Sequence, residues 1–194
     1  MIDNGSSSVV GLSGLALDIT SFNCSNIGTN VVTLTATSTL GSTATGIAIV
    51  TVKDEIAPTV NVNNIDINLT NGSASITPSM VDNGSSDNCS IVSYSLDKDT
   101  FDCSNLGQNN VALTITDANG NSSTEIAVIT VKDNTAPILN VADKTFDLDA
   151  NGNVNITASD IYSSATDDCG QLVTVTINKN SFTCSNIGSN NVEV

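Results

Sequence analysis

The stretch FDCSNLGQNNVALTITDANGNSSTEIAVITVKDNTAP, residues 101–137, decides the fold. Two segments in it, Val111–Thr116 and Glu125–Val131, are rich in the β-branched residues that favour strands. The Ala118–Asn121 segment between them contains Asn-Gly, a strong signal for a tight β-hairpin turn. Because proline fixes φ and lacks an amide donor, the second strand must end before Pro137. The stretch therefore predicts a β-hairpin followed by a stiff connection.

The same pattern recurs along the chain. FDCSNLG at 101–107 has near copies at 22–28 and 182–188. ITVKDNTAPIL at 129–139 matches VTVKDEIAPTV at 50–60 with an offset of 79 residues. Internal repetition at a fixed period indicates a tandem array of structural units.

The period divides the 194 residues into three predicted parts. Residues 1–57 are the C-terminal part of one repeat, residues 58–136 are a complete repeat, and residues 137–194 are the N-terminal part of a third. Met1 aligns with Met80 of the complete repeat. We therefore expect Met1 to be an ordinary repeat residue and the chain to be an internal segment of a longer array.

The complete repeat contains about seven short segments of strand character. Besides the hairpin strands, these are Thr59–Val62, Ile65–Leu69, Ala74–Ile76, Ile91–Leu96 and Phe101–Cys103. Short strands separated by turn signals are typical of an immunoglobulin-like sandwich. We therefore predict an all-β fold of tandem immunoglobulin-like β-sandwich domains, each of about 80 residues and arranged end to end. Acidic, proline-containing linkers such as Asp54–Pro58 would join them stiffly.

The charge of the chain restricts its partners. Twenty acids face five basic residues, for a net charge of −15. This balance opposes binding to nucleic acid, whose affinity comes largely from Lys and Arg, and to anionic lipid. No apolar run approaches the length of a membrane span, so we expect no membrane insertion by this segment. An acidic surface does permit divalent cations.

The cysteines recur in a regular pattern. Cys89 and Cys103 are 14 residues apart, and Cys169 and Cys184 are 15 apart in the next repeat. Because both members recur together, we predict one disulfide within each domain, Cys89–Cys103 and Cys169–Cys184. Disulfides indicate an oxidising, extracytoplasmic compartment.

The first repeat lacks the second cysteine, because Val10 stands at the position of Cys89. Cys24 is therefore predicted to be an unpaired thiol. Two alternatives to disulfides stay open: reduced thiols in the core, and metal ligation. The lack of histidine and of a Cys-x-x-Cys motif weighs against metal ligation.

Oxygen-bearing side chains cluster at three kinds of turn, which makes these turns candidate calcium sites, since Ca²⁺ binds six to eight oxygen ligands. The candidate residues are Asp87 and Asn88 with their counterparts Asp167 and Asp168; Asp117, Asn119 and Asn121; and the linker acids Asp54 and Asp133. The competing interpretation is turn chemistry alone, because Asn-Gly turns serve to reach positive φ without an ion. The spacing also does not fit an EF-hand.

We expect no enzymatic activity. The chain has no histidine, which excludes Ser/His and Cys/His arrangements. Carboxylate pairs such as Asp147 and Asp149 flank a predicted hairpin turn and read as surface loop residues. A glycosidase needs two acids across a cleft, and a small sandwich repeated in tandem offers no obvious cleft.

The segment DNCS at 87–90, followed by the stretch 101–137, resembles hyalin-repeat (HYR-like) domains. It is similar above all to those of very large cell-surface proteins of gliding bacteria, the SprB-like gliding-motility adhesins that the type IX secretion system exports. The resemblance covers essentially the whole chain. It implies an immunoglobulin-like fold and an extracellular, adhesive or spacer role on a bacterial cell surface. Departures from the pattern are Val10 in place of cysteine and Ser38 in place of the acid at Asp117.

Three functions follow as hypotheses. The first is a structural and adhesive filament segment, a stiff stalk whose partners are neighbouring repeats of the same chain, surface polysaccharide or other surface proteins. The second is a set of carbohydrate-binding modules, which would use exposed aromatic residues. The third is a spacer attached to a secreted enzyme.

Overall fold

Strands form most of the regular structure in this computed structural model, which describes residues 2–194; the expectation for Met1 lies outside the described residues. β-Branched residues and Asn/Gly-rich turns produce this composition of elements. In the described part of the chain the strands are β1 (Leu12–Leu17), β2 (Gly28–Ser38), β3 (Thr43–Val52), β4 (Ile65–Asn68), β5 (Ser73–Ser75), β6 (Ile91–Leu96), β7 (Thr100–Asp102), β8 (Gly107–Asp117), β9 (Ser122–Lys132), β10 (Ile138–Val141), β11 (Asn153–Asn155), β12 (Tyr162–Thr166) and β13 (Ser181–Thr183). Two one-turn helices, α1 (Pro78–Val81) and α2 (Ala158–Ile161), and three 3-10 turns (Cys24–Asn26, Cys103–Asn105 and Cys184–Asn186) complete the elements. The predicted all-β class is confirmed.

The strands form five sheets within the described residues. Their strand orders are β1–β2–β3, β4–β9–β8–β6, β5–β7, β10–β12 and β11–β13. Most pairings are antiparallel, but β4 runs parallel to β9, with Ile65 opposite Ile129 and Asn68 opposite Lys132. Parallel neighbours cannot be joined by a short hairpin. The chain from β4 therefore continues into other elements before β9 returns beside it.

Asn71-Gly72 is a second Asn-Gly pair, from which the sequence predicts a tight turn and a β-hairpin leading into Ala74–Ile76. The turn is present, but the hairpin is not. Asn71 and Gly72 have φ angles of 51° and 72°, the positive values that a tight two-residue turn requires. Only an isolated bridge joins Thr70 to Ser73 beside the turn. Beyond that bridge the flanking strands separate, because β4 pairs with β9 and β5 pairs with β7.

Several predicted strand boundaries differ from the structure. Ile91–Leu96 is confirmed as β6, while β8 and β9 are longer than predicted. The segment Thr59–Val62 is not a strand and makes only isolated bridges, Thr59 to Ser86 and Val62 to Asp82. Strand propensity alone does not place a neighbouring strand beside a segment. Here only the single residues Thr59 and Val62 form bridges.

The chain divides into two compact units that do not follow the predicted repeats. Unit 1 contains Met1–Val62, Asp82–Leu96 and Ala112–Ile126. Unit 2 contains Asn63–Val81, Asp97–Val111 and Ala127–Val194. The complete repeat, residues 58–136, thus contributes to both units. The repeat boundaries at 57/58 and 136/137 stay predictions from the sequence.

The buried side chains of β8 alternate along the strand. Val111, Leu113, Ile115 and Asp117 are all 1% exposed or less. Successive residues of a strand point to opposite faces, so these four share the core-facing side. In unit 1 the buried aliphatic residues among those described are Val32, Leu113 and Ile115. In unit 2 they are Ile67, Leu69, Ile76, Val81, Phe101, Val111, Ala127, Ile129, Val131 and Ile156.

Candidate functional site

Asp117 occupies the last core-facing position of β8, where a charged side chain is unusual. Its carboxylate is held by the turn that follows. Oδ1 accepts hydrogen bonds from the backbone N–H groups of Asn119 (2.9 Å) and Asn121 (2.8 Å), and Oδ2 accepts one from Asn121 Nδ2 (2.7 Å). Burial raises the pKa of Asp117, but the hydrogen bonds from Asn121, Asn119 and Gly120 outweigh it and hold the pKa below its ordinary value. Asp117 is therefore a buried carboxylate in its charged form.

Asn121 connects this turn to the linker at Asp54. Its Nδ2 also approaches the backbone carbonyls of Asp54 (3.2 Å) and Ile56 (3.4 Å). Gly120 has a φ of 92°, a positive value that glycine adopts without steric cost and that reverses the chain direction in this turn. The amide that orients Asp117 thus also anchors the linker.

Asp87 and Asn88 approach the same linker from the segment before β6. Asp87 Oδ2 accepts hydrogen bonds from the backbone N–H of Cys89 (2.8 Å) and of Ser90 (3.1 Å). Asn88 Nδ2 donates to Asp54 Oδ1 at 3.1 Å. Asp54 is therefore contacted by side chains from two separate segments of the complete repeat.

One carboxylate oxygen from each of Asp54, Asp87 and Asp117 lies within 4.8 Å of the other two. Asp117 is buried, and Asp54 and Asp87 are half-buried. Asp54 Oδ2 and Asp87 Oδ1 each expose less than 1 Å² and have no hydrogen-bond partner. We call these three residues the junction triad. The structure thus brings together the three predicted groups of oxygen ligands, one acid from each.

The other candidate ligands have different roles. Asn88 and Asn121 direct their amide N–H groups at Asp54, and Asn119 contributes a backbone N–H to Asp117. Asp167 Oδ1 accepts a hydrogen bond from the backbone N–H of Cys169 at 3.1 Å, as its counterpart Asp87 does with Cys89.

The acids Asp133 and Asp168 form a second group with Cys169. Asp168 is exposed, and its Oδ2 accepts a hydrogen bond from the backbone N–H of Gly72 at 2.9 Å. The third atom of the group is the Cys169 sulfur, which belongs to a disulfide. Since the thiolate is the metal ligand and a disulfide sulfur is not a thiolate, this group offers only two carboxylates.

The predicted disulfide pairing was wrong. The bridges are Cys24–Cys89 and Cys103–Cys169, with Cα separations of 5.4 and 5.2 Å. Cys24 is therefore not an unpaired thiol; the free cysteine among the described residues is Cys184, which is exposed.

Sheet membership explains the correction. Two strands lie between Cys89 and Cys103: β6, which belongs to the four-stranded sheet, and β7, which pairs with β5. A disulfide requires Cα atoms less than about 7 Å apart. The bridges instead span 65 and 66 residues. Cys24 in the first Cys-Ser-Asn turn is bonded to Cys89 before β6, and Cys103 in the second such turn is bonded to Cys169, the counterpart of Cys89 in the next repeat. These nearly equal separations were visible in the sequence, but so were the 14- and 15-residue separations of the predicted pairs.

The first bridge lies next to the junction triad. Cys89 is bonded to Cys24 and donates its backbone N–H to Asp87. Cys24 Sγ also lies 3.4 Å from the carbonyl oxygen of Asn88. The disulfide and the junction triad therefore both involve the segment of residues 87–89.

No protein-family model and no curated protein sequence matches the chain. Among solved structures it is similar to protocadherin gamma B7 extracellular cadherin domains 1–4, with 14% identity over 78% of this chain and 49% of that one, at a TM-score of 0.35. It is also similar to the protocadherin gammaB7 EC3-6 cis-dimer structure, with 18% identity over 77% of this chain and 42% of that one, at a TM-score of 0.31. The chain thus spans about half the length of these relatives or less. We draw nothing about function from likeness at this level.

No helix in residues 2–194 has both the length and the apolar character that crossing a membrane requires.

Proposed function

We propose that this chain is a structural and adhesive repeat segment of a very large secreted cell-surface protein, in which tandem repeats act as a stiff stalk. The observation that carries the proposal is that the two disulfides join equivalent positions of successive repeats, with sequence separations of 65 and 66 residues. Each bridge joins one sequence repeat to the next. A covalent link that recurs at successive junctions is suited to an array that transmits tension, because neighbouring repeats stay connected when the linker is pulled.

The first linker supports the same role. Asp54 accepts a hydrogen bond from Asn88, and its backbone carbonyl faces the Asn121 amide. Pro58, which follows in the linker, is buried. A linker fixed by proline and by side chains on both sides has little freedom to bend.

The disulfides also support an extracellular location. Such bonds form and persist in oxidising compartments and are rare in the cytosol. We further propose, from the resemblance of the repeat motif to HYR-like domains, a place on a bacterial cell surface, with a role in gliding motility or attachment after export by type IX secretion. Partners in this proposal are the neighbouring repeats and surface polysaccharide or other surface proteins.

Small-angle X-ray scattering of the 194-residue chain tests the stalk. A compact single domain of this length has a radius of gyration of about 16 Å. We expect a clearly larger value and the scattering profile of a rod. The Cys184→Ser variant, which removes the free thiol and with it any dimer formed through that thiol, is the matched control. A radius near that of the compact domain would contradict the stalk.

Carbohydrate-binding modules are the alternative, and the structure gives them little support. Phe101 is 3% exposed, and the ammonium of Lys98 lies 5.0 Å from its ring centroid. Phe182 has Lys179 at 4.5 Å in the same arrangement. These repeated aromatics are therefore not free platforms for stacking sugars. Glycan-array binding by the chain that is lost in Tyr94→Ala, at the 41% exposed Tyr94, would favour the alternative.

A further inference from the structure

We infer that the junction triad of Asp54, Asp87 and Asp117 binds one Ca²⁺ ion and thereby fastens the linker to the complete repeat. The inference goes beyond the stalk role, and neither depends on the other. Each acid comes from a different segment: the linker, the segment before β6, and the end of β8. One oxygen of each lies within 4.8 Å of the other two.

Two orphan oxygens point to a ligand. Asp54 Oδ2 and Asp87 Oδ1 are shielded from solvent and accept no hydrogen bond. Buried carboxylate oxygens are normally paired or bound to metal, because removing their hydration without compensation is costly. The other oxygen of each acid already accepts hydrogen bonds, from Asn88 to Asp54 and from Cys89 and Ser90 to Asp87. Each side chain is thus oriented with one free oxygen.

Asp117 adds a third carboxylate, which the fold holds in place. It is 1% exposed, and its Oδ1 accepts hydrogen bonds from the backbone N–H groups of Asn119 and Asn121. Neighbouring carboxylates repel one another unless a cation lies between them. A cation at this point would relieve the repulsion and give the orphan oxygens a partner.

The donor set suits a hard cation such as calcium. All three donors are carboxylate oxygens, which suit Ca²⁺, Mg²⁺ and Mn²⁺ rather than the softer metals. Three oxygens within 4.8 Å of one another leave a central point no more than about 2.8 Å from each, close to the ~2.3–2.6 Å of Ca²⁺ ligation. Mg²⁺ requires a shorter distance of about 2.0–2.1 Å and near-ideal octahedral geometry, and it gives up its hydration water reluctantly.

The second group provides an internal contrast. Asp133 corresponds to Asp54, but its neighbours Asp168 and Cys169 offer an exposed acid already bonded to Gly72 and a disulfide sulfur. We therefore expect one ion per chain, at the first group only.

Calcium titration calorimetry of the metal-stripped, disulfide-bonded chain tests this inference. We expect one Ca²⁺ per chain with a Kd on the order of 10⁻⁴ M or tighter, and at least tenfold weaker binding of Mg²⁺. Asp54→Asn and Asp87→Asn should each weaken Ca²⁺ binding at least tenfold. Asp133→Asn removes the corresponding linker acid of the second group and should leave both stoichiometry and affinity unchanged.

Far-UV circular dichroism is the control that checks whether each variant is folded. The variants replace the half-buried acids Asp54 and Asp87, because replacing the buried Asp117 would also remove contacts from the core. Two outcomes would overturn the inference. One is no Ca²⁺ binding up to ~10 mM, well above the ~1 mM limit for extracellular calcium modules. The other is binding that Asp54→Asn and Asp87→Asn leave unchanged, which would assign it to the general acidic surface. Neither outcome depends on whether the chain is a rod.

Discussion

Cys103 is bonded to Cys169, 66 residues ahead of it, and not to Cys89, from which two short strands, β6 and β7, separate it. The same arrangement joins Cys24 to Cys89. The cysteine of each of the first two Phe-x-Cys motifs therefore bonds forward, to the following repeat. This direction makes the cysteines a connection between repeats rather than a reinforcement within one.

The bridge pattern predicts a simple peptide map. Trypsin cleavage after the five lysines places each cysteine on its own peptide. Without reduction, mass spectrometry should find 1–53 joined to 54–98, and 99–132 joined to 145–179, with 180–194 carrying a free thiol. The same digest after reduction is the control. A species joining 54–98 to 99–132 would show that the pairing lies within repeats.

Removing the second bridge should destabilise the chain strongly. In the chain-entropy model, a cross-link closing a loop of 66 residues contributes about 4 kcal/mol. The double variant Cys103→Ser/Cys169→Ser should therefore unfold at a much lower urea concentration under non-reducing conditions. Cys184→Ser, at the free and exposed cysteine, should keep the wild-type midpoint. Equal urea midpoints for the wild type, the double variant and Cys184→Ser would show that the Cys103–Cys169 bridge does not stabilise the folded chain.

Leu113 should be far more sensitive to truncation than an exposed leucine. It is 0% exposed on β8, and Leu113→Ala should cost about 2–5 kcal/mol through lost burial and the cavity left behind. Leu40→Ala makes the same chemical change at a residue that is 79% exposed and should cost less than about 0.5 kcal/mol. Urea denaturation measures both. Similar losses would contradict the placement of β8 in the core.

Acid should destabilise the chain in part through Asp117. Hydrogen bonds hold its folded pKa below the ordinary value of 3.8 despite its burial. A carboxyl with a lowered folded pKa contributes stability that is present above its unfolded pKa and is lost as pH falls through the folded pKa. In calcium-free buffer, Tm should therefore fall as pH drops below about 4. Asp117→Asn should show a shallower fall, whereas Asp147→Asn, at an exposed acid, should follow the wild type.

Local patterns predicted the strands well. Ile91–Leu96 is a strand at the predicted residues, and the predicted hairpin exists as β8 and β9. Both strands are longer than expected because they extend through polar residues such as those at 107–110, which strand propensity alone does not favour. The parallel pairing of β4 with β9 was not predicted, because the local sequence of a strand does not indicate which distant strand pairs with it.

The site was predicted in its residues but not in its arrangement. Asp54, Asp87 and Asp117 were all candidates, and they meet because β8 places Asp117 on its core-facing side. The alternation of Val111, Leu113 and Ile115 already indicated that side in the sequence. The cysteine pairing was ambiguous, because pairing within a repeat and pairing between repeats recur with nearly the same period.

The forward bridges also limit how far the chain can be stretched. Under a pull applied at its two ends, tension passes from Cys24 to Cys89 and from Cys103 to Cys169 through sulfur, so the 65 and 66 residues that these bonds span remain slack. Even with every strand unfolded, only about a third of the 194 residues can add contour length, at most ~3.6 Å each. In a force-extension experiment the oxidised chain would behave as a short tether, and adding a reductant would roughly triple its reach.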